Sequence, residues 1–258
     1  MTFRLLVVFA VALTARLLYA ADALRDLPCY ELRIYHAAEG KLDALNARFR
    51  DHTMKLFEKH GITNVGYFTP LDNPDRLLYY FLTYPSREAR DKSWKEFAAD
   101  PDWKAAAKAS EADGKLVNKV ESYFLHQTDY SPEIKIAAQK EPRTFELRIY
   151  TTTPNNLVKL HARFRDHTMK LFEKHGMTNV GYFVYDAGQK NADADNTLIY
   201  LLAHKSKDAA EASFKAFRAD PDWVAAKAAS EKDGGGSLTT PDGVKSVFLA
   251  PTDYSPTK

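Results

Sequence analysis

Residues 48–61 read RFRDHTMKLFEKHG, and residues 163–176 read the same letters again, 115 positions further on. Near-literal self-similarity of this length means one structural unit built twice. Working outward, TNVGYF at 63–68 returns at 178–183, ELRIY at 31–35 returns at 146–150, DPDW at 100–103 returns at 220–223, and TDYSP at 128–132 returns at 252–256. The offset grows at two places only, within 186–196 and within 234–243. Both stretches are rich in Gly, Asp or Asn and are expected as surface loops. The chain therefore divides into a leader at 1–23, a first unit at 29–132, a linker at 133–143 and a second unit at 144–258.

Within the first unit, Tyr30, Leu32 and Ile34 alternate with Glu31, Arg33 and Tyr35, the period of a strand. Leu42, Leu45, Phe49, Leu56 and His60 fall at helical spacing over 41–60, and Gly61 stands where a left-handed stop belongs. Strands follow over 63–69 and 77–83. Ser86 caps a second helix, and Asp100 with Pro101 opens a third. A last strand covers 117–125. The order βαββαβ is that of a ferredoxin-like unit, a sheet with helices on one face. The open sheet face would be too aromatic to leave wet, with Tyr35, Tyr67, Tyr79 and Phe81 assigned to it. Two such units are thus expected to pack sheet to sheet as a pseudo-dimeric α+β barrel, an α+β fold.

Composition sets limits on function. The 258 residues are 45% hydrophobic, 27% charged and 12% aromatic, the mix of a well-cored globular protein. Thirty-six Lys and Arg against 34 Asp and Glu leave a net charge of only +2, so nucleic acid is not an expected partner. The single cysteine, Cys29, excludes an intramolecular disulfide framework and reads as a packed thiol. Arg4, an apolar run over 5–15 and the Ala21-Asp22-Ala23 triplet resemble a secretory signal. The run is too short to span a bilayer, so the expectation is export to a periplasmic or extracellular location with no stable membrane span.

Chemistry-bearing side chains are few. Glu31 and Arg33, two apart, share a strand face, as do Glu146 and Arg148. They are expected to point into the space between the sheets, near a pseudo-twofold axis. There they would form either an ion network that fixes docking or, with Tyr35, Tyr67, Tyr150 and Tyr182, a grip for a small anionic or carbonyl-bearing ligand. His52 and His167 lie at the edge of the helical stripe, as core histidines, proton-transfer groups or iron ligands. His60 and His175, in the last helical turn, suit the helix dipole. No metal site is expected. The G-x-G-x-x-G, G-x-x-x-x-G-K-[ST], H-E-x-x-H and G-x-S-x-G motifs are missing.

The segments YELRIY at 30–35 (FELRIY at 145–150), and FEKHG at 57–61 with VGYF at 65–68 and DPDW at 100–103, which recur unchanged in the second unit, resemble the NIPSNAP family. That resemblance implies a ferredoxin-like, dimeric α+β barrel fold and supplies no agreed catalytic residues. The expectation is an exported NIPSNAP-domain protein that binds a small ligand between its sheets or acts as a non-catalytic binding or assembly module, including a homo-oligomer. The alternative is an α+β-barrel oxidoreductase, haem-dependent or cofactor-free. It would use His52 or His167 as base or haem ligand and Arg33 or Arg148 to orient substrate.

Overall fold

The computed structural model describes residues 28–139, 141 and 143–258; the leader at 1–23 lies outside them. The first unit runs β1 (Cys29–Ala37), α1 (Leu42–Arg48), α2 (Met54–Lys59), β2 (Thr63–Pro70), β3 (Leu77–Tyr84), α3 (Arg87–Ala99), α4 (Pro101–Ser110) and β4 (Val117–Gln127). The second repeats it as β5 (Thr144–Thr152), α5 (Leu157–Arg163), α6 (Met169–Lys174), β6 (Thr178–Tyr185), β7 (Thr197–His204), α7 (Lys207–Ala219), α8 (Pro221–Asp233) and β8 (Thr239–Pro251). Local chemistry sets the boundaries. Ser86 and Ser206 accept hydrogen bonds from Ala89 N and Ala209 N, and Asp100 and Asp220 from Asp102 N and Asp222 N, with proline at the first helical position. Gly61 (φ +73°) and Gly176 (φ +79°) take the left-handed conformation that ends α2 and α6.

The helix expected over 41–60 runs unbroken through 42–59, but it is not α-helical throughout. A π-helical turn at Phe49–Thr53 separates α1 from α2, and Phe164–Thr168 repeats it. Hydrogen bonds there reach one residue further than in an α-helix, which shifts the side-chain phase. The hydroxyls of Thr53 and Thr168 donate to the carbonyls of Arg48 (3.1 Å) and Arg163 (3.0 Å). The second insertion also differs from expectation. Residues 234–238 form turns, but 239–243 enter β8, where the pairing with β5 slips beyond Tyr150, so extra residues are absorbed in the ladder as a bulge.

The strands close in the order β1-β3-β2-β8-β5-β7-β6-β4, an all-antiparallel eight-stranded barrel. Each unit supplies four strands, and the sheets join edge to edge, through Thr69 opposite Ala250 and His126 opposite Val184. Each unit's TDYSP segment clasps the other. Tyr182 N donates to Ser131 Oγ at 3.0 Å and Tyr67 N to Ser255 Oγ at 2.9 Å. Arg165 pairs with Asp129, and Arg50 with Asp253.

The barrel interior is apolar and full. Leu32, Phe68, Phe81, Leu125, Phe145, Leu147, Phe183, Ile199, Leu201 and Leu249 fill it, as expected when eight strands leave just enough width for side chains. The void beside Val65, Gly181 and Phe183 is about 10 Å³, room for no more than a water. The helices cover the outer face of the sheets. No helix among the described residues is long and apolar enough to cross a membrane.

Candidate functional site

Glu31, Arg33 and Tyr35 share one face of β1, but that face looks outward, under the helices. Leu32 is the one that enters the barrel, so the expected orientation is reversed. The reason is partner supply. A buried charge needs compensating groups, which the apolar interior lacks and the helical layer provides. Glu31, fully buried, accepts from Arg33 Nη1 (2.5 Å), Arg90 Nη2 (2.9 Å), Tyr84 OH (2.9 Å) and Ser122 Oγ (2.6 Å). Burial alone would raise its pKa; the Arg90 hydrogen bond and the Arg33 and Arg90 charges outweigh that and hold it at about 2.

The four groups expected near one axis therefore form two separate clusters, each using partners from its own unit. In the second, Glu146 pairs with Arg148 and meets His204 Nε2 at 3.2 Å. Arg148 Nε donates to Tyr200 OH (2.9 Å) and Nη2 to Tyr150 OH (3.1 Å). Tyr67 and Tyr182 do not touch the acids; they stack on Tyr80 and Tyr200 at 5.2 Å and donate to Asn64 and Asn179. Their roles are those of sheet–helix core.

His52 and His167 are exposed. The π turn buries Phe49 and Thr53 and turns His52 outward, and likewise His167, which borders an open groove between α6 and α8. Neither is near Arg33 or Arg148 in any hydrogen bond or ion pair among the described residues. His60 and His175 do more than meet a dipole: their Nε2 atoms lie 2.6 and 2.7 Å from Asp100 and Asp220, tying one helix end to the next helix's cap. Cys29 is a buried thiol, pushed up to about 12 chiefly by desolvation.

One space of ligand size lies between sheet and helices of the second unit. A cavity of about 650 Å³ is walled by Arg148 and Tyr150 from β5, Val244 from β8, Phe164 and Thr168 from the π turn, Phe172 from α6, and residues of α7 and α8, including Phe214, Phe217, Trp223 and Lys227. Its volume falls in the range of small-molecule sites, roughly 300–1,000 Å³. A shallower recess, sharing Arg148, Phe214 and Arg218, reaches Glu146.

The equivalent region of the first unit is occupied differently. Trp94 replaces Phe214; it meets Arg33 at 4.3 Å as Phe214 meets Arg148 at 4.6 Å, and it alone donates from a ring nitrogen, to Tyr84 OH at 2.7 Å. Arg90, on Glu31, stands where the second unit has Ala210, and Tyr84 where it has His204. Arg48 is bridged to Glu111 at 3.1 Å. Its counterpart Arg163 has no such bridge: it keeps the 3.4 Å contact to Ser230 that matches Arg48 to Ser110, and in both arginines the buried Nε has no partner, so the carboxylate bridge is what differs. Sequence reading did not single out Arg163, Phe214, Arg218 or His204. The signal was present where the two copies differ, in Trp94 against Phe214, Arg90 against Ala210 and Ala107 against Lys227.

The NIPSNAP family profile matches residues 30–132 and again 145–256. No curated protein matches the chain. Among solved structures, a candidate monooxygenase from Lactobacillus acidophilus is similar with a TM-score of 0.53 at 12% identity, over 87% of this chain and 94% of its own. A candidate monooxygenase from Fusobacterium nucleatum gives 0.53 at 14%, over 87% and 92%. At these identities the likeness is one of fold. A NIPSNAP domain protein from Burkholderia xenovorans matches 41% of this chain with 99% of its own, at 20% identity and a TM-score of 0.36. With the family pattern matched across both copies, and the closed α+β barrel built from them, the chain belongs to the NIPSNAP family.

Proposed function

We propose that this protein binds a small molecule, and that the binding site is the sheet–helix cavity of the second unit. The observation that carries this is the asymmetry of two near-identical copies. One retains a cavity of about 650 Å³ lined by aromatic rings; the other places Trp94, Arg90 and the Arg48–Glu111 bridge at the matching positions. A ligand between the two sheets, the sequence-based expectation, has no support from an interior this full. The first unit, on this reading, supplies half of the barrel and the clasp that holds the second.

For the oxidoreductase alternative, Arg148 lines the cavity, whereas His52 and His167 are exposed and lie outside its lining. Export of the mature chain is part of the proposal and is supported by the leader pattern at 1–23. Native and denatured mass spectrometry of the protein from its own host tests both points. Expected is a mass excess of a few hundred daltons that vanishes on denaturation, on a chain that lacks the leader. Equal native and denatured masses contradict binding, and a chain of full length contradicts export.

A further inference from the structure

Arg163 is 6% exposed and sits in the wall of the cavity; its Nε, like that of Arg48, is unpartnered. Burial lowers its pKa, and the nearby charge of Glu231 opposes this only in part. In the first unit the same arginine, Arg48, is neutralised by Glu111. The second unit keeps the acid, as Glu231, but changes Ala107 to Lys227, one helical turn before it. Glu231 lies 3.9 Å from Lys227 and leaves Arg163 without a carboxylate bridge. Arg148, Arg218 and Lys227 add further positive charge to the wall, and Glu231 one negative charge. A buried guanidinium without a carboxylate bonded to it is costly, and its planar fork suits one. Phe164, Phe172, Phe217 and Trp223 give the wall an aromatic part, beside the polar Thr168, Ser237 and Thr239.

We infer that the cavity takes an organic carboxylate, whose acid group pairs with Arg163 in the role that Glu111 plays for Arg48 and whose apolar body lies among the aromatic rings. This rests on the cavity being a binding site, as proposed above, and adds the chemical class of what it binds. Lys227 has a positioning role, since it draws Glu231 away from the arginine.

Calorimetric titration of the whole protein with 2-naphthoate and with neutral 2-naphthamide, equal in shape and different in charge, tests the inference. Expected is at least tenfold tighter binding of 2-naphthoate. In Arg163→Met that preference disappears while 2-naphthamide affinity stays within about twofold; in Lys227→Ala, where Glu231 is free to bridge Arg163, the preference falls. Equal affinity of the two probes for the unmodified protein overturns the carboxylate assignment and leaves the cavity reading standing. Binding of neither overturns the cavity reading itself. The comparison on the unmodified protein decides the matter even where a variant fails to fold.

Discussion

Glu31 illustrates how a single carboxylate can organise a unit. It is wholly buried, yet two guanidinium groups and two hydroxyls satisfy it, so it stays ionised in the fold with a pKa of about 2 against an ordinary 4.5. A carboxyl whose folded pKa is depressed contributes stability that is complete above the unfolded value and is lost as pH falls toward the folded one. The window here runs from about pH 4.5 down to about 2, and the difference is worth on the order of 3 kcal/mol. Glu31→Gln should lower stability at pH 7 by about 3 kcal/mol, since it leaves Arg33 and Arg90 buried without their counter-charge. Urea unfolding at pH 7 and pH 3 checks this: the variant should lose less on acidification than the parent. Equal acid sensitivity would show that Glu31 is not the group responsible. That Glu31 and Arg33 share a face was legible from their spacing. Which face was not, because both faces of a barrel strand are buried and period two says nothing about which side holds the arginine of a distant helix. Arg163 was illegible for a related reason. The fourteen residues from Arg163 onward are letter-for-letter those from Arg48, and the difference, Lys227 beside Glu231 where the first unit has Ala107 before Glu111, lies far along the chain.

At the scale of elements, the strands, caps and helix stops could be read directly, because alternation, Ser and Asp caps and left-handed glycines are local chemistry. The π turns could not. They depend on helical hydrogen bonds slipping by one residue within a stretch whose hydrophobic spacing looks ordinary, and they turn His52 and His167 outward. The repeated TDYSP segments were visible as a motif without a role; in the fold each one lies along the other unit. Ser131 Oγ accepts from Tyr182 N, and Ser255 Oγ accepts from Tyr67 N. Removing either hydroxyl strands a backbone amide within the unit interface, at a cost of about 1–3 kcal/mol. Ser131→Ala and Ser255→Ala should each lower stability by that much. They act on separate units, so the double variant should show their sum. Thermal or urea unfolding reads the loss, and a change below a few tenths of a kcal/mol would argue that the clasp is carried by the other contacts of the segment. The exposed Arg50–Asp253 and Arg165–Asp129 pairs, screened by water, are the weaker part of the clasp.

Over the whole molecule, duplication has yielded one barrel with two unequal sides. Closure through β2 with β8 and β4 with β6 removes every sheet edge, and the interior is spent on apolar packing. Ligand space is left to the outer layer, where sheet meets helix, and there the copies have diverged at Trp94 and Phe214, Arg90 and Ala210, Tyr84 and His204. The central claim, that the second unit holds the binding cavity, is tested most directly with N-phenyl-1-naphthylamine, a neutral probe that fluoresces when it leaves water, titrated into the unmodified protein and into Phe214→Trp. That substitution gives the cavity wall the first unit's residue. Saturable binding to the unmodified protein, weakened at least tenfold in Phe214→Trp with the fold intact by circular dichroism, is the predicted result. Absence of binding, or binding that Phe214→Trp leaves unchanged, would contradict it.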